Sequence, residues 1–127
     1  MPAFPYVDPG KHDFTCPQGT TWARDITWKD PDGHPYALEG NVHVRLMIRP
    51  FLESKKVTIS LSTEFSSPDQ ITISGGTISL RLSSVQTAAI AADTYAYDME
   101  VVDPSYDPEF VVRLLEGSFI VDGEVTR

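Results

Sequence analysis

The chain is poor in the side chains that most enzyme and metal sites require. It has one cysteine, Cys16, so an intramolecular disulfide is impossible and a cysteine zinc site has too few thiolates. Its three histidines, His12, His34 and His43, are scattered along the chain. The sequence contains no Gly-x-Ser-x-Gly elbow, Walker loop or His-Glu-x-x-His motif. We therefore expect no enzymatic activity, no cofactor and no metal.

Cys16 is a poor candidate for a catalytic thiol. A nucleophilic cysteine needs a base within hydrogen-bonding reach, and the nearest histidine in sequence is His12. Residues four apart in a strand lie about 13 Å apart along the chain, which is far beyond that reach. We interpret Cys16 as a small, half-buried strand residue.

Long apolar runs and clustered positive charge are also lacking. No apolar run approaches the roughly 18 residues of a membrane-spanning helix, and residues 1–10 lack the basic-then-apolar layout of a signal peptide. The 10 Lys and Arg against 18 Asp and Glu give a formal net charge of −8, with no basic stripe. We therefore expect neither nucleic acid nor an anionic membrane as a partner. We expect the protein to stay in the compartment where it is made.

What the sequence does contain is the period-two alternation of half-buried strands. Such alternation is found in residues 14–28, 41–49, 57–62, 71–74, 77–82, 95–101 and 110–114, and a closing hairpin is predicted to pair 119–121 with 124–126. Asp30-Pro31-Asp32-Gly33 and Gly75-Gly76 are strong turn signals. Ser83 or Ser84 is expected to cap the only helix, near residues 84–91. About eight strands with one short helix predict an all-β sandwich or small barrel.

Alternation also predicts which side chains form the core. The inward phase of the predicted strands contains Val44, Leu46, Ile59, Leu80, Tyr97, Met99 and Val112. At 127 residues, the chain has room for one domain.

The first eleven residues have a different composition from the rest. Pro2, Pro5 and Pro9 flank Phe4 and Tyr6, a spacing that blocks a helix and favours extended backbone. We predict that residues 1–11 form an extended arm that stays outside the sheet interior and binds a partner through its two aromatic rings. Residues 12–127 then form the single domain. The alternative is a frayed terminal tail.

Asp98 and Glu100 are predicted to share the solvent-facing side of one strand, opposite Tyr97 and Met99. Their carboxylates would lie roughly 6–7 Å apart, a spacing that glycoside hydrolases use. Such pairs occur on most solvent-facing strands, so we interpret this one as an acidic face open to the Arg or Lys of a partner.

Two acidic segments weakly resemble metal-binding loops. Asp30, Asp32 and Gly33 match the start of a calcium loop, but His34, Tyr36 and Leu38 occupy the later ligand positions. Asp103 and Asp107 carry the same weak signal. We predict turns at both places.

The segment Ala92-Asp93-Thr94-Tyr95-Ala96-Tyr97 resembles the tyrosine corner of immunoglobulin-type domains. The resemblance implies an immunoglobulin-like β-sandwich in which Tyr97 hydrogen-bonds back into the corner. The cysteine that would follow two residues later is Met99, which excludes the disulfide-bonded antibody class.

A second resemblance covers residues 14 to 127. The order of Thr87-Ala88, the segment 95–101, Arg113-Leu114-Leu115-Glu116-Gly117 and the terminal residues 125–127 is similar to that of small β-sandwich proteins from bacteriophage and prophage structural clusters. It implies a non-enzymatic virion structural protein, either a tail or baseplate component or a fibre adaptor. Such a protein would assemble in the bacterial host cytoplasm, in several copies, with other virion proteins as partners. A head–tail connector or a capsid decoration protein is the nearest alternative.

A carbohydrate- or ligand-binding module is a further alternative. Its stacking platforms would be Trp22, Trp28, Tyr36 and Tyr106, and only the two tyrosines remain available if the tryptophans are buried. Taken together, the candidate interface residues are Phe4, Tyr6, Tyr36, Asp98, Glu100 and Tyr106.

Overall fold

A computed structural model describes residues 4–36, 38, 42–63 and 71–123, and every structural statement below concerns these residues. They form nine strands and one helix in the order β1 (Gly10–Lys11), β2 (Phe14–Pro17), β3 (Trp22–Thr27), β4 (His43–Arg49), β5 (Ile59–Ser62), β6 (Ile71–Ser74), β7 (Thr77–Leu82), α1 (Ser84–Ala88), β8 (Asp93–Asp103) and β9 (Phe110–Asp122). Among these elements, no helix has the length and apolar character to cross a membrane.

The strands form two sheets. The larger sheet has the order β1-β9-β8-β4-β5, with β2 also paired to β9, and the smaller sheet has the order β3-β7-β6. β1 and β2 run parallel to β9, whereas the other pairs are antiparallel. This arrangement places the equivalents of strands B, E and D opposite those of G, F, C and C′ in a variable-type immunoglobulin domain. The prediction of an all-β, immunoglobulin-like sandwich with one short helix is confirmed.

The helix depends on its cap. Ser83 is the N-cap, since its hydroxyl accepts a hydrogen bond from the Gln86 N–H at 3.2 Å while the Gln86 side chain accepts one from the Ser83 N–H at 2.8 Å. The buried Thr87 hydroxyl donates to the Thr20 carbonyl at 2.7 Å. A helix of five residues is too short to persist alone, so these bonds hold it in place.

The core lies between the two sheets and follows the predicted register. The six predicted core residues Val44, Leu46, Leu80, Tyr97, Met99 and Val112 are buried, and the seventh, Ile59, is half-buried and packs against them. β8 lies between β4 and β9 and therefore contributes its inward side chains to the middle of this core.

The prediction of one strand over residues 14–28 is wrong. The chain forms β2 in the larger sheet and β3 in the smaller one, with a turn between them at Gly19, whose φ of 80° is the left-handed conformation that glycine tolerates. The indole N–H of Trp22 donates to the Thr15 carbonyl at 3.2 Å and so links the two strands across the turn.

The prediction of separate strands over residues 110–114 and 119–121 is also wrong, because β9 is continuous from Phe110 to Asp122. Its register shifts opposite Met99 and Glu100, so one residue, Leu114, is extra on β9. Glycine is required at position 117 because the His12 backbone lies close to it. A Cβ at Gly117 would lie 2.1 Å from the His12 carbonyl oxygen. The predicted partner segment 124–126 lies outside the described residues.

The amino-terminal segment joins the domain at two places. Phe4 is 2% exposed, and its ring centroid lies 5.4 Å from that of Trp28 and 5.5 Å from that of Phe110. The expectation that residues 1–11 stay outside the sheet interior is therefore wrong for Phe4. Gly10 and Lys11 also form a short parallel pairing with β9. Proline prevents a helix or a central strand, but an extended segment can still insert one ring between the sheets.

The tyrosine corner uses a different residue from the one the resemblance implied. The Tyr95 hydroxyl donates to the Ala91 carbonyl at 2.6 Å, four residues upstream, as a corner tyrosine does. The Tyr97 hydroxyl donates instead to the His12 carbonyl, also at 2.6 Å. Burial, helped by the charges of Asp13 and Glu116, raises the pKa of Tyr97 above its ordinary value.

We predict that Phe4→Ala destabilises the domain by about 3 kcal/mol, because it leaves a cavity between Trp28 and Phe110. Tyr6→Ala is the matched control in the same segment, since Tyr6 is 70% exposed, and it should change stability by less than about 0.5 kcal/mol. Urea denaturation measures both. Equal effects of the two substitutions would contradict the placement of Phe4 in the core.

We also predict a loss of stability in alkali that depends on Tyr97. A pKa that is raised in the folded state means that the neutral phenol is favoured there, so this contribution is complete below the unfolded pKa near 10 and falls as the pH rises above it. Tyr97→Phe should cost about 1 kcal/mol at neutral pH through the lost hydrogen bond, yet lose less stability between about pH 8 and 11 than the parent. Denaturation across this range, with exposed Tyr6→Phe as control, is the measurement. An unchanged alkaline slope in Tyr97→Phe would refute the assignment.

Candidate protein-binding face

The solvent-facing side of the larger sheet carries most of the chain's cross-strand charge pairs. We call it the outer face and define it by seven outward side chains of β4, β8 and β9, namely Arg45, Met47, Asp98, Glu100, Val111, Arg113 and Glu116. Alternation along β8 directs Tyr97, Met99 and Val101 into the core, whereas Asp98 and Glu100 remain partly exposed. The predicted orientation of the two carboxylates is therefore confirmed.

Pairing of the strands sets the outer face in two rows. Arg45 lies opposite Glu100, which in turn lies opposite Arg113. In the next row, Met47 lies opposite Asp98, which lies opposite Glu116. Asp98 and Glu100 are thus each flanked by one side chain from β4 and one from β9.

These rows hold two separate groups of ion pairs, one between Arg45 and Glu100 and one that joins Arg113 to Asp98 and Glu116. Arg45 Nη2 lies 3.4 Å from Glu100 Oε1, and Arg113 Nε lies 3.6 Å from Asp98 Oδ2. Arg113 Nη1 also lies 3.7 Å from Glu116 Oε1, and Glu116 Oε2 forms a further pair with Lys11. The expectation of an acidic face with free carboxylates is therefore wrong, because oppositely charged residues face each other across the strands.

The surroundings of Glu116 and of Arg45 differ in their electrostatics. The hydrogen bond from Lys11 lowers the pKa of the Glu116 carboxyl, and the positive charges of Lys11 and Arg113 act in the same direction. In the pair with Glu100, by contrast, the Arg45 Nε atom is buried and has no hydrogen-bond partner within the described residues. The face therefore combines satisfied carboxylates with one buried cationic donor.

A shallow depression adjoins the outer face. It is lined by Tyr6, Val7, Pro9, Glu100, Val111 and Arg113, so the amino-terminal segment forms one wall and β8 and β9 form the floor. The Tyr6 ring is largely exposed and Val111 is partly exposed. Three predicted interface residues, Tyr6, Asp98 and Glu100, thus lie on or beside one surface.

The remaining predicted interface residues lie elsewhere. Tyr36 packs on Trp28 at a centroid distance of 5.0 Å, and Tyr106 lies 6.3 Å from Phe110, both at the end of the sandwich where Phe4 inserts. Phe4 itself is buried and cannot contact a partner as expected.

The exposure of the four predicted stacking rings decides whether they can bind a carbohydrate. Trp22 and Trp28 are buried, so neither offers a face for a sugar ring. Tyr36 and Tyr106 are half-buried and hold the only remaining predicted platforms.

Asp30, Asp32 and His34 lie in one exposed turn, with potential ligand atoms within 4.8 Å of one another. Asp30 Oδ1 accepts hydrogen bonds from the N–H groups of Asp32 and His34, each at 2.9 Å, and the Gly33 N–H donates to the Asp30 carbonyl at 2.9 Å. The predicted turn is confirmed, and the Asp30 carboxylate stabilises it.

Cys16 is fully buried, and burial raises the pKa of its thiol. A raised pKa disfavours the thiolate that a nucleophile requires. The His12 ring packs edge-on against the Phe14 ring, with the two ring centroids 4.8 Å apart.

One surface was not predicted from the sequence. Phe51 and Leu52, in the connection between β4 and β5, are 59% and 70% exposed. The available signal was an apolar pair that follows Pro50, outside any alternating segment.

Comparison with known proteins adds little beyond the fold. No protein-family model matches the chain, and no curated protein matches it. Among solved structures, voltage-gated sodium channel beta subunits studied for multimeric cell-adhesive interactions match with a TM-score of 0.44 and 14% identity, over 97% of this chain and 100% of theirs. The extracellular domain of the sodium channel beta4 subunit, described as a parallel homodimer, matches with a TM-score of 0.38 and 12% identity, over 96% of this chain and 100% of its own. At these values the fold assignment rests on the strand order, and no function is transferred.

Proposed function

We propose that this chain is a non-enzymatic structural domain that binds other proteins through its outer face. The observation that carries the proposal is the depression in which the exposed ring of Tyr6 and the side chain of Val111 lie beside Glu100 and Arg113. Tyrosine and arginine are the residues that protein interfaces favour, because they combine apolar area with hydrogen-bonding groups.

The ion pairs would prepare this face for binding. Arg113 is held between Asp98 and Glu116, so its guanidinium is already restrained before a partner arrives. A side chain that is already restrained in the free protein loses less conformational entropy when a partner binds. A partner with its own charged groups could add to the set, and the resulting contact should weaken as salt increases.

The specific role we propose is that of a bacteriophage virion protein, either a tail or baseplate component or a fibre adaptor, present in several copies. Its support is the resemblance in residues 14 to 127 to β-sandwich proteins of phage structural clusters. A rigid two-sheet domain would act there as a spacer that presents its surfaces at fixed positions, and symmetry would multiply weak contacts. A head–tail connector or decoration protein would use the same contacts.

Replacing the two outer-face carboxylates of β8, Asp98 and Glu100, tests the outer face. Asp98→Asn with Glu100→Gln removes the pairs with Arg113 and Arg45, each worth no more than about 1 kcal/mol at this exposure, so the domain should remain folded. Binding to its partner and incorporation into assembled particles should decrease. The matched control is Asp25→Asn with Asp122→Asn, which makes the same charge change at exposed positions outside the outer face.

The measurement uses particles purified from the strain that carries this reading frame. Mass spectrometry should detect peptides of the chain in these particles, with less of the outer-face double variant than of the control variant. Absence of the chain from purified particles would contradict the virion role. Loss of a hydrolytic activity by a normally folded double variant would contradict the non-enzymatic role.

A further inference from the structure

The connection between β4 and β5 differs from the rest of the surface in both charge and polarity. Its exposed apolar pair, Phe51 and Leu52, is followed by the exposed Lys55 and Lys56. Residues 49–56 contain three of the chain's ten Lys and Arg against a single Glu, in a protein whose formal net charge is −8. We call residues 51–56 the basic tip.

Hydrogen bonds keep the basic tip in one conformation. The Ser54 N–H donates to the Phe51 carbonyl at 3.0 Å, and Arg49 Nη1 donates to the Ser54 carbonyl at 3.0 Å. The Ser54 hydroxyl also donates to the Lys56 carbonyl at 3.2 Å. The apolar pair is therefore exposed in a braced turn, and a partner would not have to order it.

The opposite end of the sandwich carries the complementary charge. Arg49, next to the basic tip, pairs with Ala96 near the start of β8, whereas the turn at 104–109 follows the end of this strand. The seven residue steps of β8 from Ala96 to Asp103 separate the two by about 23 Å along the strand. Because Phe4 contacts both Trp28 and Phe110, the turn at 29–36 lies at the same end as the turn at 104–109.

These two turns define the acidic end. They contain the carboxylates Asp30, Asp32, Asp107 and Glu109 with one cation, Lys29. They also contain Tyr36 and Tyr106, which are half-buried and can still offer part of their rings to an apolar partner.

We propose that the basic tip of one copy binds the acidic end of a second copy, in a head-to-tail contact. Opposite charges and apolar groups occur on both surfaces, and the two surfaces face away from each other along the sandwich. A contact between two different surfaces of the same chain is heterologous, so it repeats into a ring or an open filament. A second copy is favoured over another acidic partner because this chain itself carries both halves of the contact.

Charge exchange tests this contact in the full chain by sedimentation velocity over a range of concentrations and salt. The parent should self-associate, more weakly as salt increases. Lys55→Glu with Lys56→Glu, and separately Asp32→Lys with Glu109→Lys, should each weaken association by roughly tenfold or more. Mixing the two variants should restore association, because each reversed surface then meets its complement in the other variant.

The apolar pair is tested separately. Phe51→Ser with Leu52→Ser should weaken association at every salt concentration, whereas Val85→Ser, which removes an apolar side chain that is 78% exposed elsewhere, should leave it unchanged. Circular dichroism melts check that each variant is folded.

Any one of the following results would overturn the inference. A parent that remains monomeric throughout, or a mixture that fails to reassociate, would exclude the contact. If Glu100→Arg weakens association and the basic-tip substitutions do not, the contact lies on the outer face, and the proposed function is unaffected. A monomeric parent that sediments with phosphatidylserine vesicles through Lys55 and Lys56 would assign the tip to a membrane.

Discussion

Trp22 holds the two sheets together in a sandwich that has no disulfide. It lies on β3 of the smaller sheet, and its ring contacts Phe14 at 5.3 Å and Phe119 at 5.1 Å, both in the larger sheet. Its indole N–H is satisfied by the Thr15 carbonyl, so the large ring is buried without an unpaired donor. The guanidinium of Arg24 lies over this ring, 5.2 Å from its centroid, and donates to the same carbonyl. Aromatic packing across the layers thus replaces a covalent link.

This packing also determines which side chains can reach a partner. Once Phe14, Tyr97 and Phe119 occupy the inner side of the larger sheet, the period-two geometry of β8 leaves Asp98 and Glu100 on the outer side. Arg45 and Arg113 then come to the outer side because their strands pair with β8 in fixed register. A one-residue slip would exchange the charged row for the core row, so the face is specified as strongly as the core.

Local patterns were enough to predict most of the strands, most of the core and the turns, but not the features that depend on pairing. The sequence predicts two strands over residues 110–114 and 119–121, and the apolar phase changes between them. The bulge at Leu114 produces that change, and only the pairing with Met99 and Glu100 reveals it. The same limit applies to the outer face, where Asp98 and Glu100 were assigned to the correct side but their Arg partners could not be named. Phe4 was misplaced because burial between Trp28 and Phe110 is a property of the assembled end.

The separation of the two proposed contact surfaces has a consequence for assembly. A chain with a formal net charge of −8 repels its own copies at long range, so association requires local surfaces at which that repulsion is reversed. The basic tip supplies such a surface at one end, and the ion-paired outer face supplies a nearly balanced one on the side. Neither surface uses the buried aromatic residues that hold the sheets together, so a contact at either one requires no change in the core. Two individually weak contacts on one rigid body then act together at high effective concentration, which is how a small acidic domain can form an ordered array.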